Sequence, residues 1–272
     1  MKKDKNSESE GFLTFGGHLE VLRKMLFRII IVTLVISVVI FCFKEWTFSV
    51  LFAPREWDFV TYRTIEKILG LFGVDFHFQP YSVKMISTDL SAQFMTHLST
   101  SIYLGLLMAS PYIMFELFRF VLPALYENER KASVWVAISM YFLFALGVLL
   151  NYFVIFPVSF RFLGTYSVDS SVESNITISS YIRTFSTLTL IMGVIFQLPI
   201  VSYILARMDV LHSEFLAKYR KHAFIVIMVV SAIITPPDLF TLCLVTLPMY
   251  LLYEFCIIIT RRVEKRYMVA QG

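Results

Sequence analysis

Charge is scarce in this chain: Asp, Glu, Lys and Arg make up 16% of its 272 residues, against 57% hydrophobic residues and a mean hydropathy of +0.71. A soluble domain of that length could not hide so much apolar surface in one core, which excludes an ordinary soluble protein. Cysteine is sparse too. Cys42, Cys243 and Cys256 lie inside or at the ends of apolar runs, without the spacing of a metal site, and read as packing residues. Missing altogether are a Gly-rich phosphate loop followed by Lys, a His-Glu-x-x-His pair and a Gly-x-Ser-x-Gly elbow. His18, His77, His97, His212 and His222 are scattered, mostly over loops and span ends. No enzyme activity, metal or cofactor is therefore expected. The net charge of +4 sits in tails and loops rather than in a basic patch interleaved with aromatics, so it reflects membrane topology and not nucleic-acid binding.

What the chain has instead is long uncharged runs, over residues 29–43, 90–115, 132–160 and 184–206. The second, 26 residues long, crosses ~30 Å of hydrocarbon with tilt at ~1.5 Å per residue. The first is followed by Lys44, Glu45 and Trp46 with no small-residue cleavage site, so it reads as a retained span rather than a removed signal peptide. Two later runs are shorter: only 16 uncharged residues separate Lys221 from Asp238, and 15 separate Asp238 from Glu254. Those lengths cover ~24 and ~22 Å. Between them Thr235-Pro236-Pro237-Asp238 cannot continue a helix and must turn the chain. The sequence thus predicts an all-α polytopic membrane protein in a single integral membrane domain, residues 1–272. Six transmembrane helices are expected, at about 25–43, 90–118, 132–156, 184–206, 221–235 and 239–258, the last two short enough to thin the bilayer beside them.

Lys and Arg number 17 in the 70 residues of the N-terminal tail and segments 119–131, 207–222 and 260–272, but 7 in the 78 residues of 44–89, 157–183 and 235–239. That bias predicts both termini in the cytoplasm. Nothing in the first twenty residues suggests an organellar transit peptide, so the bacterial inner (cytoplasmic) membrane is the expected location. The longest loop, 44–89, carries Pro54, Gly70, Gly73 and Pro80 around an apolar patch and is expected to hold a short surface helix or two.

The candidate functional residues are polar groups placed where a membrane makes them costly: Glu20, Glu116, Glu129, Gln197, Asp238 and Glu254. Glu116 and Arg119 share a helix face, Pro123 breaks that helix, and Tyr126, Glu127, Glu129, Arg130 and Lys131 form a charged lip at the surface. Glu20 and Glu129 fall on the same side and would converge if the first two spans pack together. Two carboxylates there suit a dicationic ligand, since guanidinium groups meet carboxylates bidentately. From the residues alone the favoured reading is the plainer one, in which Glu20 pairs with Arg23 or Lys24 along its own helix, and Glu129 with Arg130 or Lys131. Gln197 sits mid-span, and Pro199 leaves the carbonyl of Ile195 without a helix partner. Its amide serves either packing within the chain or docking of a partner's transmembrane helix. Asp238 reads as the cap of the last helix, and Glu254 as a partner of Arg261 or Arg262.

Three stretches resemble the TatC family, the C subunit of the twin-arginine (Sec-independent) protein translocase. His18-Leu19-Glu20-Val21-Leu22-Arg23 is similar to its N-terminal H-L-x-E-L-R pattern. Residues 111–130 resemble its P-x-x-x-Y-Q-x-W-x-F-x-x-P-x-L-Y-x-x-E-R loop, and 234–238 its T-P-P-D turn. The resemblance covers roughly residues 15–262. It implies a receptor that binds twin-arginine signal peptides at the cytoplasmic face, and a scaffold for single-span TatA- and TatB-type partners. It further implies self-association in the complex and transport of folded proteins driven by the proton-motive force. Carried over by position, it implies signal-peptide binding by Arg23, Phe120 and Glu129, with Glu20 as the neighbouring carboxylate, and partner-helix binding by Gln197, Pro236, Pro237 and Asp238. Several positions depart from the pattern: the family's N-terminal glutamate aligns with Val21, about 100° around the helix from Glu20. The loop glutamine is Glu116, a frequent mid-span Glu is Gln197, and a polar site after the turn is Leu242.

The runner-up from the residues alone is a proton- or ion-coupled small-solute transporter. Such proteins place an ionisable or unwound site near the midplane and show paired repeats, whereas here only Gln197 is clearly midplane and no repeat relates the two halves. An intramembrane protease lacks its Ser/His or metal constellation.

Overall fold

A computed structural model describes residues 15–75, 77–121, 130–167, 169 and 175–271. The first long helix, α1 (Phe15–Cys42), contains no proline and packs antiparallel on α4 (Ala92–Val121). Three contacts fix the register: Arg28 meets Glu116, Ser37 meets Gly105, and Phe41 stacks on His97 with ring centroids 4.1 Å apart. Glycine is required at 105, because a Cβ there would lie 2.0 Å from the Ser37 hydroxyl oxygen.

The long loop between them is ordered into α2 (Lys44–Phe52), a 3-10 turn (Ala53–Arg55) and α3 (Val60–Leu71), in keeping with the surface helices expected. Tyrosines hold this cap down. The Tyr152 and Tyr181 hydroxyls donate to the carbonyls of Val50 and Leu51, both at 2.8 Å, satisfying acceptors that the last turn of α2 leaves open. Tyr62 of α3 donates to Pro157 O at 2.7 Å and touches Tyr81. The Arg161 guanidinium lies among the rings of Tyr62, Phe78 and Tyr81, 4.4–5.1 Å from their centroids. Burial pushes the Tyr62 and Tyr81 hydroxyls above the usual tyrosine range, which keeps them protonated. A two-residue parallel pairing of β1 (Met85–Ile86) with β2 (Ile176–Thr177) closes the cap.

Next come α5 (Arg130–Leu150), a wide π turn (Asn151–Ile155) and α6 (Phe156–Thr165) in one continuous rod. Within the wide turn the Phe153 carbonyl accepts from Thr61 of α3. The following rod bends between α7 (Ile178–Ile195) and α8 (Leu198–Arg207), where Pro199 has no N–H to give. Thr177 caps the start of α7 by accepting from Ser180 N at 3.2 Å. The α5 and α7 rods cross at two glycines, Gly147 and Gly193, and at a buried pair in which Asn151 Nδ2 donates to Thr189 Oγ1 at 2.8 Å. Below the cap, Phe156, Tyr181, Phe185, Leu188, Met192 and Val245 lie in a single core shared by α2, α6, α7 and α11.

The chain ends with α9 (Ser213–Lys218), α10 (Arg220–Ile234) and α11 (Leu239–Gln271). Among the described residues, five helical stretches are long and apolar enough to cross a membrane: 19–42, 92–120, 136–165, 178–207 and 239–265. The 15 residues of α10 reach only ~22 Å, the short length expected of that helix, and α10 is not one of the five. The last helix corrects the sequence reading. It runs for 33 residues, ~50 Å, and is not short. The uncharged run was counted only as far as Glu254, but that carboxylate pairs with Arg220 of α10 at 3.0 Å and accepts from the Tyr250 hydroxyl at 3.1 Å. The apolar run therefore continues through it to Thr260. Beyond that, Glu264 accepts from the Ser213 amide at 2.7 Å and from its hydroxyl, tying α9 to the end of α11.

Candidate functional site

The antiparallel register of α1 on α4 determines what can meet at one end of the molecule. Carried a turn and a half beyond the Arg28–Glu116 contact, it brings Arg23 and Glu20 level with Phe120 and the end of α4. The chain starts of α5 and α10 and the end of α8 also belong to this end, because successive long helices run in opposite directions. Phe120 is half-buried there. Arg23 is exposed, with its guanidinium 5.6 Å from the centre of the Phe27 ring. Glu129 lies outside the described residues.

Glu20 is where the helix-face reading put it. Its carboxylate sits 2.7 Å from Lys24, one turn on, with both side chains about two-thirds exposed, a setting in which an ion pair is worth ~0–1 kcal/mol. Nothing in that geometry locks Glu20 away from a ligand.

Glu116 shares a helix face with Arg119, but its partners are elsewhere. Its carboxylate is 3.5 Å from Arg28 Nη1 and accepts from the Tyr112 hydroxyl at 3.0 Å, one turn back. Its side chain is 7% exposed, so this is a buried anion held by a half-exposed cation on the neighbouring helix. The cost of stripping a carboxylate of water explains why two donors converge on it. Arg28 and Tyr112 are thus structural parts of the rim that the sequence reading missed. Only one signal pointed to Arg28: it is the last charge before an uncharged run, at a depth where it needs a partner. Glu254 is also corrected, since it pairs with Arg220 of α10 rather than with Arg261 or Arg262.

The residues read as a partner-helix face are in two places. Gln197 stands at the bend between α7 and α8 and donates through Nε2 to Met140 O of α5 at 3.1 Å. The packing account is therefore present in the fold. Its other amide atom, Oε1, is buried without a hydrogen bond among the described residues. At the opposite end, Pro236 and Pro237 make the turn and Asp238 caps α11, its Oδ1 accepting from Thr241 N at 2.6 Å. Leu239, just past the cap, is 77% exposed. Among the described residues no three His, Cys, Asp or Glu side chains are placed to share a metal ion.

Comparison with known proteins agrees with this arrangement. The family model TatC, Sec-independent protein translocase protein, matches residues 17–248. The TatC protein of Blattabacterium sp. subsp. Periplaneta americana (strain BPLAN) is 33% identical over 270 residues, 98% of this chain and all of that protein. The TatC protein of Escherichia coli (strain K12) is 30% identical over 244 residues, covering 90% of this chain and 86% of that one. A crystal structure of the twin arginine translocase receptor TatC superposes with a TM-score of 0.73 at 29% identity. That match covers 91% of this chain and 99% of the other.

Proposed function

Because the chain belongs to the TatC family and is a subunit of a twin-arginine protein translocase, we propose that it is that machine's signal-peptide receptor and scaffold. In this reading it is a carrier of recognition and not an enzyme. It crosses the bacterial inner membrane six times, α10 being the short fifth crossing, with both termini in the cytoplasm. The rim at the start of α1 and the end of α4 binds the paired arginines of a signal peptide through Glu129, with Glu20, Arg23 and Phe120 alongside. Transport of folded cargo is driven by the proton-motive force, which suits a chain without a nucleotide-binding loop.

The observation that carries this reading is the register set by Arg28 and Glu116, which aligns the start of α1 with Phe120. A photo-crosslinker in place of Phe120 is expected to capture a twin-arginine peptide added to inverted membrane vesicles, whose cytoplasmic face is outward. The same peptide with both arginines changed to lysine is expected to give at least about fivefold less product, because lysine cannot offer the planar bidentate fork. Equal capture of the two peptides, or capture only in right-side-out vesicles, would reject the proposal.

For partner binding, the exposed faces beside Gln197 and the Pro236-Pro237-Asp238 turn are proposed to seat TatA- and TatB-type single-span helices. Gln197→Leu is expected to lower their co-purification about threefold, in line with ~0.6–1 kcal/mol for one interhelical hydrogen bond. A full yield of complex would leave Gln197 with its packing role to Met140 alone.

A further inference from the structure

At the end opposite the rim, a cavity of about 500 Å3 opens between α2, the start of α4 and the start of α7. Its walls are mainly apolar, formed by Phe48, Phe52 and Phe94 with the His97 ring, which is itself stacked on Phe41, and Gln93 and Thr96 are its uncharged polar members. Two charges stand among the lining residues, Lys44 and Glu45, and both are exposed. Neither has an ion-pair partner among the described residues, although they are neighbours in sequence and opposite in sign. Trp46, the next residue, is 62% exposed, the placement of an aromatic anchor at a membrane–water boundary. The apolar stretch of α1 ends at Cys42, so the site combines an apolar wall with one cation and one anion just beyond the end of that stretch.

We propose that this cavity binds a zwitterionic aminophospholipid. Lys44 takes the phosphate, Glu45 takes the primary ammonium, and one acyl chain lies against the three phenylalanines. An anionic lipid would satisfy Lys44 and leave Glu45 facing another negative group. A choline lipid carries the right charges but has no N–H to donate to Glu45. A partner's transmembrane helix fits poorly, because a rod ~10 Å across fills 500 Å3 with little more than one turn. With the orientation proposed above the lipid would come from the outer leaflet, and the headgroup preference does not depend on that orientation.

The test is native mass spectrometry of the purified chain in an equimolar mixture of ethanolamine, choline and glycerol phospholipids. The chain is expected to retain the ethanolamine lipid about fivefold over the choline lipid. Glu45→Gln is expected to bring that ratio to about one, and Lys44→Gln to lower retention of all three. Both side chains are exposed, so neither change threatens folding. As an independent readout, a photo-crosslinker at Phe94, itself 58% exposed, is expected to give lipid adducts in membranes. Equal retention of ethanolamine and choline lipids, a Glu45→Gln variant with unaltered preference, or mainly protein adducts at Phe94 would each overturn the proposal. A failure of the vesicle-sidedness experiment would change only the leaflet.

Discussion

Gly147→Val is expected to leave almost no folded protein in the membrane, with a loss of about 3 kcal/mol or more in stability. A Cβ at position 147 would stand 2.6 Å from the Met192 carbonyl oxygen and 2.9 Å from the Phe196 ring. The nearest obstacle is helix backbone, which cannot swing aside as a side chain can, so the whole rod has to move. Moving it parts the polar seam on either side: Asn151 from Thr189 and Gln197 from Met140. Polar groups left unpaired away from water cost ~1–3 kcal/mol each, in addition to the steric term. Gly193→Ala should be milder, because its Cβ meets the edge of the Phe144 ring, which can tilt. Gly70→Ala should be silent, since nothing lies within 4 Å of a Cβ there. Thermal unfolding in detergent, together with the yield of protease-resistant protein, reads the effect. A Gly147→Val protein melting within a few degrees of the unchanged chain would refute the crossing as described.

Glu129→Ala is expected to abolish crosslinking of a twin-arginine peptide at the rim, a drop of at least about tenfold. A charge-assisted hydrogen bond is worth ~1.5–3 kcal/mol, and a bidentate contact to guanidinium uses two. Glu129→Gln should lose nearly as much, because the amide keeps the shape but not the charge. The companion carboxylate should matter less. Glu20 is two-thirds exposed and already shares its charge with Lys24 at 2.7 Å, so Glu20→Gln is expected to weaken crosslinking only about twofold. Because the rim is wet, raising salt to about 0.5 M should weaken binding to the unchanged chain as well. Undiminished crosslinking by Glu129→Ala would remove that residue from the site.

The parts of the fold visible in the sequence are those set by near neighbours. Uncharged runs marked the long helices, Pro199 marked the bend before α8, and Thr235-Pro236-Pro237-Asp238 marked the turn with its cap. Each depends on a missing N–H, a side-chain acceptor or a stretch of apolar residues, all local properties. What escaped were pairings across the chain. Arg28 finds Glu116 88 residues away, and Arg220 finds Glu254 34 residues away, so no spacing rule reaches them. The length of α11 was misjudged for the same reason: a carboxylate ends a span only if it has no partner, and its partner sits on another helix. At the candidate site the motif positions were legible, but that Glu116 is buried and Glu20 is not depends on packing that the motif does not encode.

The wide turn at residues 151–155 has an arithmetic of its own. Phe144, Gly147, Asn151 and Ile155 face inward at steps of three and four, and then the series restarts one position later, at Phe156 and Phe160. The rod has absorbed a surplus residue without twisting its two halves out of phase. Deleting one residue inside that turn would tighten it to ordinary pitch and leave both inward rows aligned. The same deletion a few positions to either side would rotate everything beyond it by ~100° and swing Phe156 and Phe160 out toward the lipid. Along this rod, chain length is negotiable at a single place.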